Sequence, residues 1–334
     1  MRKTVWILLA LLATLVVGYV LGPVPEKPVY SEAIPEVPAE PAKLERYISE
    51  HESLHPVKKD NEARIVWFDD SAKQKTPYSI VYLHGFSASQ AEGEPVHRNI
   101  ARKYGCNLYL ARLSDHGIDT TDAMVQLTAD RYWESAKEAL MVGSQLGEKV
   151  ILMGTSTGGT NALQLAATYP DKVEAIVLLS PNIEINDPNA WLLNNPWGLQ
   201  IARLITGSPY LGGKSKDSLV QQYWTAPYRL EAAVALQELV ETTMNPETFA
   251  KINHPLLLLY YYKDEVHQDS TVKVSAMHRM FAQLSTPEGK KRSVAIPNAG
   301  NHVIGSYIRS KDVEGVETQI DTFFSDVLGL QKAN

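Results

Sequence analysis

The chain has 334 residues, 44% hydrophobic and 21% charged, an ordinary globular composition with enough length for one large α/β domain carrying an insertion. A net charge of −6 denies it the basic footprint that a nucleic-acid partner requires. Its single cysteine, Cys106, excludes an intrachain disulfide and sits in the apolar run Cys106-Asn107-Leu108-Tyr109-Leu110, where a buried structural thiol is expected.

Arg2 and Lys3 precede an uncharged, apolar run over residues 5–21, near the lower length limit of a membrane-spanning helix. Residues 1–22 therefore read as a signal-anchor or a cleaved signal peptide. Val16 and Gly18 offer cleavage positions, but no A-x-A pattern appears, and the anchor is favoured. The flanking positive charges send the rest of the chain across the membrane in both cases. The expectation is a domain held on the extracytoplasmic side by its N-terminal helix, with export after cleavage as the alternative.

Residues 23–42 form a proline-rich spacer carrying Pro23, Pro25, Pro28, Pro35, Pro38 and Pro41. Repeated proline favours an extended chain, and Glu26, Glu32, Glu36 and Glu40 keep it solvated, as in a stand-off between membrane and domain. Next, His51-Glu52-Ser53-Leu54-His55 matches H-E-x-x-H, which on a helix sets two zinc-binding imidazoles on one face with a glutamate base. Pro56 cuts that helix short and no third ligand follows on a later helix, so a short solvated helix is the better reading. A zinc hydrolase is retained only as a remote alternative.

Strand-like runs then cover 63–68, 78–83, 107–110, 149–153, 173–179, 255–262 and 292–296. Several are continuous Val/Ile/Leu/Tyr stretches, as expected of strands buried on both faces of a parallel sheet. Helical patterns over 96–104, 122–146, 158–169, 271–284 and 311–328 alternate with them. The class is α/β: a mostly parallel open sheet with helices on both faces, its core formed by 43–181 and 255–334. Residues 182–254 are too long for a loop and read as a helical cap, rich in rings such as Trp191, Trp197, Trp224 and Tyr228.

The chemistry concentrates in Gly154-Thr155-Ser156-Thr157-Gly158, a G-x-S-x-G between a buried strand and a helix. A sharp turn there thrusts the serine hydroxyl above the sheet, and the glycines leave room for the chain to pass. Ser156 is the expected nucleophile, and it needs a base and an orienting acid. Of nine histidines, only His302 lies in a Gly/Asn loop just past the last strand, and it is the expected base. For the acid, the strand 255–262 runs into Lys263-Asp264-Glu265, and Asp264 is favoured as the first carboxylate past the strand, with Glu265 and Asp269 as rivals. The turn His84-Gly85-Phe86-Ser87 follows a strand, so the Phe86 N–H is one expected oxyanion donor and the Thr157 N–H the other.

With these residues in place, the chain resembles the α/β-hydrolase superfamily over about residues 60–330. It is most similar to the capped carboxylesterase and monoacylglycerol-lipase-like branch, with the serine aminopeptidase-like group nearby. His84-Gly85-Phe86, Arg112-Leu113-Ser114-Asp115-His116-Gly117, Gly154 to Gly159, Asp264 and His302 carry the resemblance. It implies a Ser-Asp-His triad, an apolar acyl pocket beneath a helical cap inserted after the sixth strand, and no metal or organic cofactor. His116 belongs to a bracing loop and reads as structural. Two departures stand out: one strand instead of a hairpin precedes Tyr78, and Tyr260-Tyr261-Tyr262 replaces the small residue common before the acid.

The expected activity is hydrolysis of small or lipid-like carboxylic esters with an apolar acyl group through an acyl-enzyme. Peptide or thioester hydrolysis on the same fold is the alternative, and a non-catalytic binding protein is a further one.

Overall fold

The computed structural model describes residues 2–333. Helix α1 (Arg2–Val20) contains an 18-residue stretch of mean hydropathy 2.0, none of it buried in the protein, and is long and apolar enough to cross a membrane. Either a signal-anchor or a signal sequence has this form.

The spacer that follows departs from the expected free stand-off. It is strapped along helix α4 (Ala129–Leu146). The Lys137 ammonium, almost wholly buried, donates to the carbonyls of Ser31 and Ala33, each over 2.8 Å, and the Trp133 indole donates to Ser31 O over 2.8 Å. Asp130 accepts the Val29 N–H, and the Tyr169 hydroxyl donates to Glu32 O over 3.0 Å. Proline removes amide donors from the strap but leaves its carbonyls, and the domain holds it mainly through the carbonyls of Ser31, Glu32 and Ala33, with the Val29 N–H as a further tie. Because Lys137 is buried, Lys137→Ala is expected to cost about 2–3 kcal/mol in denaturant unfolding, through lost charge-assisted hydrogen bonds. Hydrogen exchange should rise across residues 29–33.

The described residues form a seven-stranded sheet in the order β1-β3-β2-β4-β5-β8-β9. Its strands are β1 (Arg64–Val66), β2 (Thr76–Leu83), β3 (Asn107–Leu110), β4 (Gly147–Thr155), β5 (Ala175–Leu179), β8 (Leu256–Tyr260) and β9 (Lys291–Ala295). All neighbours are parallel except the short edge strand β1, which runs antiparallel to β3. Strand side chains alternate between two cores. Val81, Leu83, Leu152 and Leu258 face α4, α5 (Thr157–Thr168) and α10 (Val274–Gln283). Ile80, Tyr82, Met153 and Leu257 face α3 (Val96–Lys103) and α11 (Val313–Asp326). This double burial is why these strands read as unbroken apolar runs.

With only β1 before β2, the insertion leaves the sheet after the fifth strand of this chain, not the sixth. It holds α6 (Gly198–Thr206), the two-stranded β6 (Tyr210–Leu211) and β7 (Tyr228–Arg229), and α7 (Ser218–Tyr223). Its second half, α8 (Leu230–Thr243) and α9 (Pro246–Ala250), is welded to the domain: Ala232, Leu239 and Phe249 share the core of α4 and α5. Trp191 and Trp197 are exposed, so they do not build a core for the cap. The Trp197 indole instead donates to Gly18 O over 2.9 Å, tying the cap to the end of α1.

Candidate active site

Ser156 sits between β4 and α5 with φ +52° and ψ −121°, a strained conformation for a residue with a side chain. The flanking glycines make the turn possible by close approach. A Cβ on Gly158 would lie 1.9 Å from the Leu83 carbonyl oxygen, and one on Gly154 would lie 2.5 Å from the Gly158 backbone. Gly158→Ala is therefore expected to lower stability by about 3 kcal/mol, an overpacking cost that circular dichroism under denaturant would read.

His302 lies in the loop after β9 and lines the same cavity as Ser156. Its partner is Asp269. The His302 Nδ1–H donates to Asp269 Oδ2 over 2.6 Å, while Asp269 Oδ1 accepts the N–H groups of Thr271 at 2.8 Å and Val272 at 3.1 Å. The Asp269 side chain is fully buried. Burial alone would lower the His302 pKa, but the Asp269 charge and hydrogen bond, with a contribution from Glu92, outweigh it and leave the pKa raised.

The structure does not bring Asp264 to His302. Asp264 is half exposed and accepts from the N–H groups of Val266 and His267 and from the His267 ring, at 2.7 to 3.0 Å. The physical reason is an excursion of the chain after β8. Lys263 N–H donates to His267 O over 2.9 Å and Tyr262 bridges Gln268, so residues 263–267 turn outward. The first carboxylate past the strand caps that turn, and the chain regains the site only at Asp269. Glu265 is spent outside as well, accepting from the Tyr262 hydroxyl over 2.9 Å.

Across the cavity, β2 leads into the His84-Gly85-Phe86 turn, and Phe86 and Thr157 both line the space with Ser156. Burial, reinforced by the neighbouring His116, holds His84 well below the ordinary imidazole value, so its ring is neutral. Its Nε2 accepts the Leu113 N–H over 3.0 Å, which leaves the Nδ1–H to donate to Gly85 O over 2.9 Å. His84 thus pins the turn from behind. His116 is buried and stacked on Tyr132, with ring centroids 5.1 Å apart, in a bracing position.

One residue here was not singled out from the sequence. Glu92, on the short 3-10 helix Gln90–Gly93, is buried, lines the same cavity, and accepts the Gly85 N–H. Burial pushes its pKa up to about 7 against the opposing effects of the Gly85 N–H, the His302 charge and the Trp224 indole. No local pattern marks it, because its partners come from other loops.

The H-E-x-x-H residues do not form a metal centre. Helix α2 (Pro41–Ser53) ends before His55. His51 pairs with Glu138 at 3.0 Å and Glu52 with Arg112 at 2.6 Å. The motif is spent on a surface contact between His51 and Glu138 and a largely buried ion pair between Glu52 and Arg112.

The cavity has a volume of about 680 Å³. Ser156, His302, Phe86 and Thr157 line it from the sheet-bearing part of the chain, and Leu193, Leu211, Trp224, Tyr228 and Leu236 line it from the insertion. Phe86 and Tyr228 pack edge to face at 4.9 Å.

Residues 78–202 match the family model for the alpha/beta hydrolase fold. The chain has the α/β-hydrolase fold. No curated protein shows significant similarity to the sequence. Among solved structures, the chain is similar to one from the metagenome-derived lipolytic enzymes LipS and LipT, with 17% identity and a TM-score of 0.64 over 80% of this chain and 98% of that one. It is also similar to the monoacylglycerol lipase of Paleococcus ferrophilus, at 16% identity and a TM-score of 0.53, covering 77% and 99% of the two chains. The structure of BpoC from Mycobacterium tuberculosis H37Rv gives 16% identity and a TM-score of 0.56, covering 82% and 98%. At such identities the likeness is one of fold.

Proposed function

We propose that the protein is a serine hydrolase of carboxylic esters, with Ser156 as nucleophile, His302 as general base and Asp269 as the orienting acid. One observation carries the reading: a serine held at positive φ between a buried strand and a helix shares a cavity with a histidine bonded to a buried aspartate. In this reading the Ser156 hydroxyl attacks the acyl carbon while its proton passes to His302 Nε2. Asp269 holds the Nδ1–H and stabilises the imidazolium that forms. The Phe86 and Thr157 N–H groups receive the oxyanion, the latter at the positive end of α5. Collapse expels the alcohol, which takes the proton from His302, and water repeats the sequence in the second half.

An apolar acyl group suits the insertion-side wall of Leu193, Leu211, Trp224, Tyr228 and Leu236. The lipolytic enzymes and the monoacylglycerol lipase of similar fold support esters as the first class to test. Helix α1 is read as a signal-anchor that holds the domain at the extracytoplasmic face of the membrane, where lipid-like esters are at hand.

The test is a panel of p-nitrophenyl esters of graded chain length against Pro- and Ala-arylamides. Esters of short to medium acyl chains are expected to be cleaved fastest, and preference for the amides would move the protein to the peptidases. Since the base must be neutral, kcat/KM is expected to fall as pH drops through the raised His302 pKa, placing the acid limb above the ordinary imidazole value. A profile with its limb at or below that value would contradict the assignment.

A further inference from the structure

Glu92 is the remaining buried ionisable group of the cavity, and the catalytic sequence above gives it no step. Its surroundings join three parts of the site. Its carboxylate accepts the Gly85 N–H at the turn that carries Phe86. A Cβ on Gly85 would lie 2.9 Å from Glu92 Oε1 and equally 2.9 Å from the Ser156 Cβ, so Glu92 and Ser156 flank the same α-carbon. Its own short helix is clamped to the His302 loop, where Ser306 Oγ donates to Ala91 O over 2.7 Å and the Tyr307 N–H to Glu94 O over 2.9 Å. The insertion reaches the same turn through the Thr225 N–H, which donates to Ser87 O over 2.7 Å.

We propose that Glu92 is a positioning residue of the site: it fixes the turn that carries the Phe86 N–H and holds a carboxylate in the cavity that His302 shares. The proposal rests on the hydrolase reading for its kinetic consequences and on geometry for the rest. A neutral amide in place of Glu92 could still accept the Gly85 N–H, so what a carboxylate adds is charge in a water-poor space. The groups facing His302 are Asp269 and Glu92, which favour the imidazolium, and Arg309, which opposes it. Those facing Glu92 are His302, the Trp224 indole, and the Tyr82 and Tyr132 hydroxyls, both of which stay protonated through the working range.

The test compares the full chain with Glu92→Gln and Glu92→Ala in detergent micelles. The His302 ring is titrated by NMR, with His302→Ala identifying its signal. In Glu92→Gln the His302 pKa is expected to fall by about one unit, and the acid limb of kcat/KM to move with it. Glu92→Ala is expected to lower kcat by about 10- to 100-fold with KM little changed, because the oxyanion turn loses its tether. Glu92→Gln should recover most of that kcat at the plateau. An unchanged His302 pKa in Glu92→Gln, or wild-type kcat in Glu92→Ala, would overturn the inference. Glu92→Gln preserves volume and the Gly85 hydrogen bond, so a folded variant is available for the titration even if Glu92→Ala does not fold. If the wild type proves inert toward esters while the His302 pKa still shifts, the hydrolase reading fails and the electrostatic role of Glu92 stands.

Discussion

Asp269→Asn is expected to lower kcat/KM for ester hydrolysis by about 10³- to 10⁴-fold, while Asp264→Asn changes it by less than about twofold. The contrast follows from what each carboxylate touches. Asp269 is buried, anchored by two backbone amides, and bonded to the His302 Nδ1–H, so the amide would disturb the imidazole's tautomer and orientation. Among the described residues, Asp269 is the hydrogen-bond partner of that ring. Asp264 is half exposed and caps a turn with His267, and its loss costs a local surface hydrogen-bond set. Steady-state kinetics on the two variants, with thermal unfolding to confirm that both are folded, reads the difference directly. The reverse pattern would return the acid to Asp264.

Ser156→Ala and His302→Ala are expected to be more severe, each lowering kcat by about 10⁴- to 10⁶-fold, and the double variant to be scarcely worse than either single one. Non-additivity is the signature of groups that act as a unit, since the serine hydroxyl is a poor nucleophile without its base and the base has no task without the hydroxyl. Ser156→Ala should also be at least as stable as the wild type, because alanine keeps the strained backbone without a polar side chain to satisfy. Additive losses from the two single variants would argue against a shared catalytic step.

How far the sequence discloses this arrangement depends on how local each feature is. The turn at Ser156 is encoded within five residues, because the clash of any Cβ at Gly154 or Gly158 with nearby backbone leaves glycine as the only choice. The same holds for the parallel sheet, since strands buried on both faces must be apolar at every position, as in Ala175–Leu179 and Leu256–Tyr260. His302 is legible from its place after the last strand. Asp269 is harder, because its selection over Asp264 depends on the outward turn at 263–267, which a carboxylate-rich stretch of sequence does not announce. Glu92 is harder still. Its partners, Gly85, His302 and Trp224, lie on separate loops, and only the assembled fold gathers them. The strap is the converse case: its prolines correctly indicate an extended chain, but the grip of Lys137 and Trp133 on its carbonyls is a property of α4.

The most direct measurement of the central claim is to expose the full chain to a fluorophosphonate probe and locate the adduct by peptide mass spectrometry. The account predicts one covalent adduct, on the Ser156 hydroxyl, absent in Ser156→Ala and formed far more slowly in His302→Ala. No adduct on the folded wild type, or an adduct on a different side chain that persists in Ser156→Ala, would contradict it.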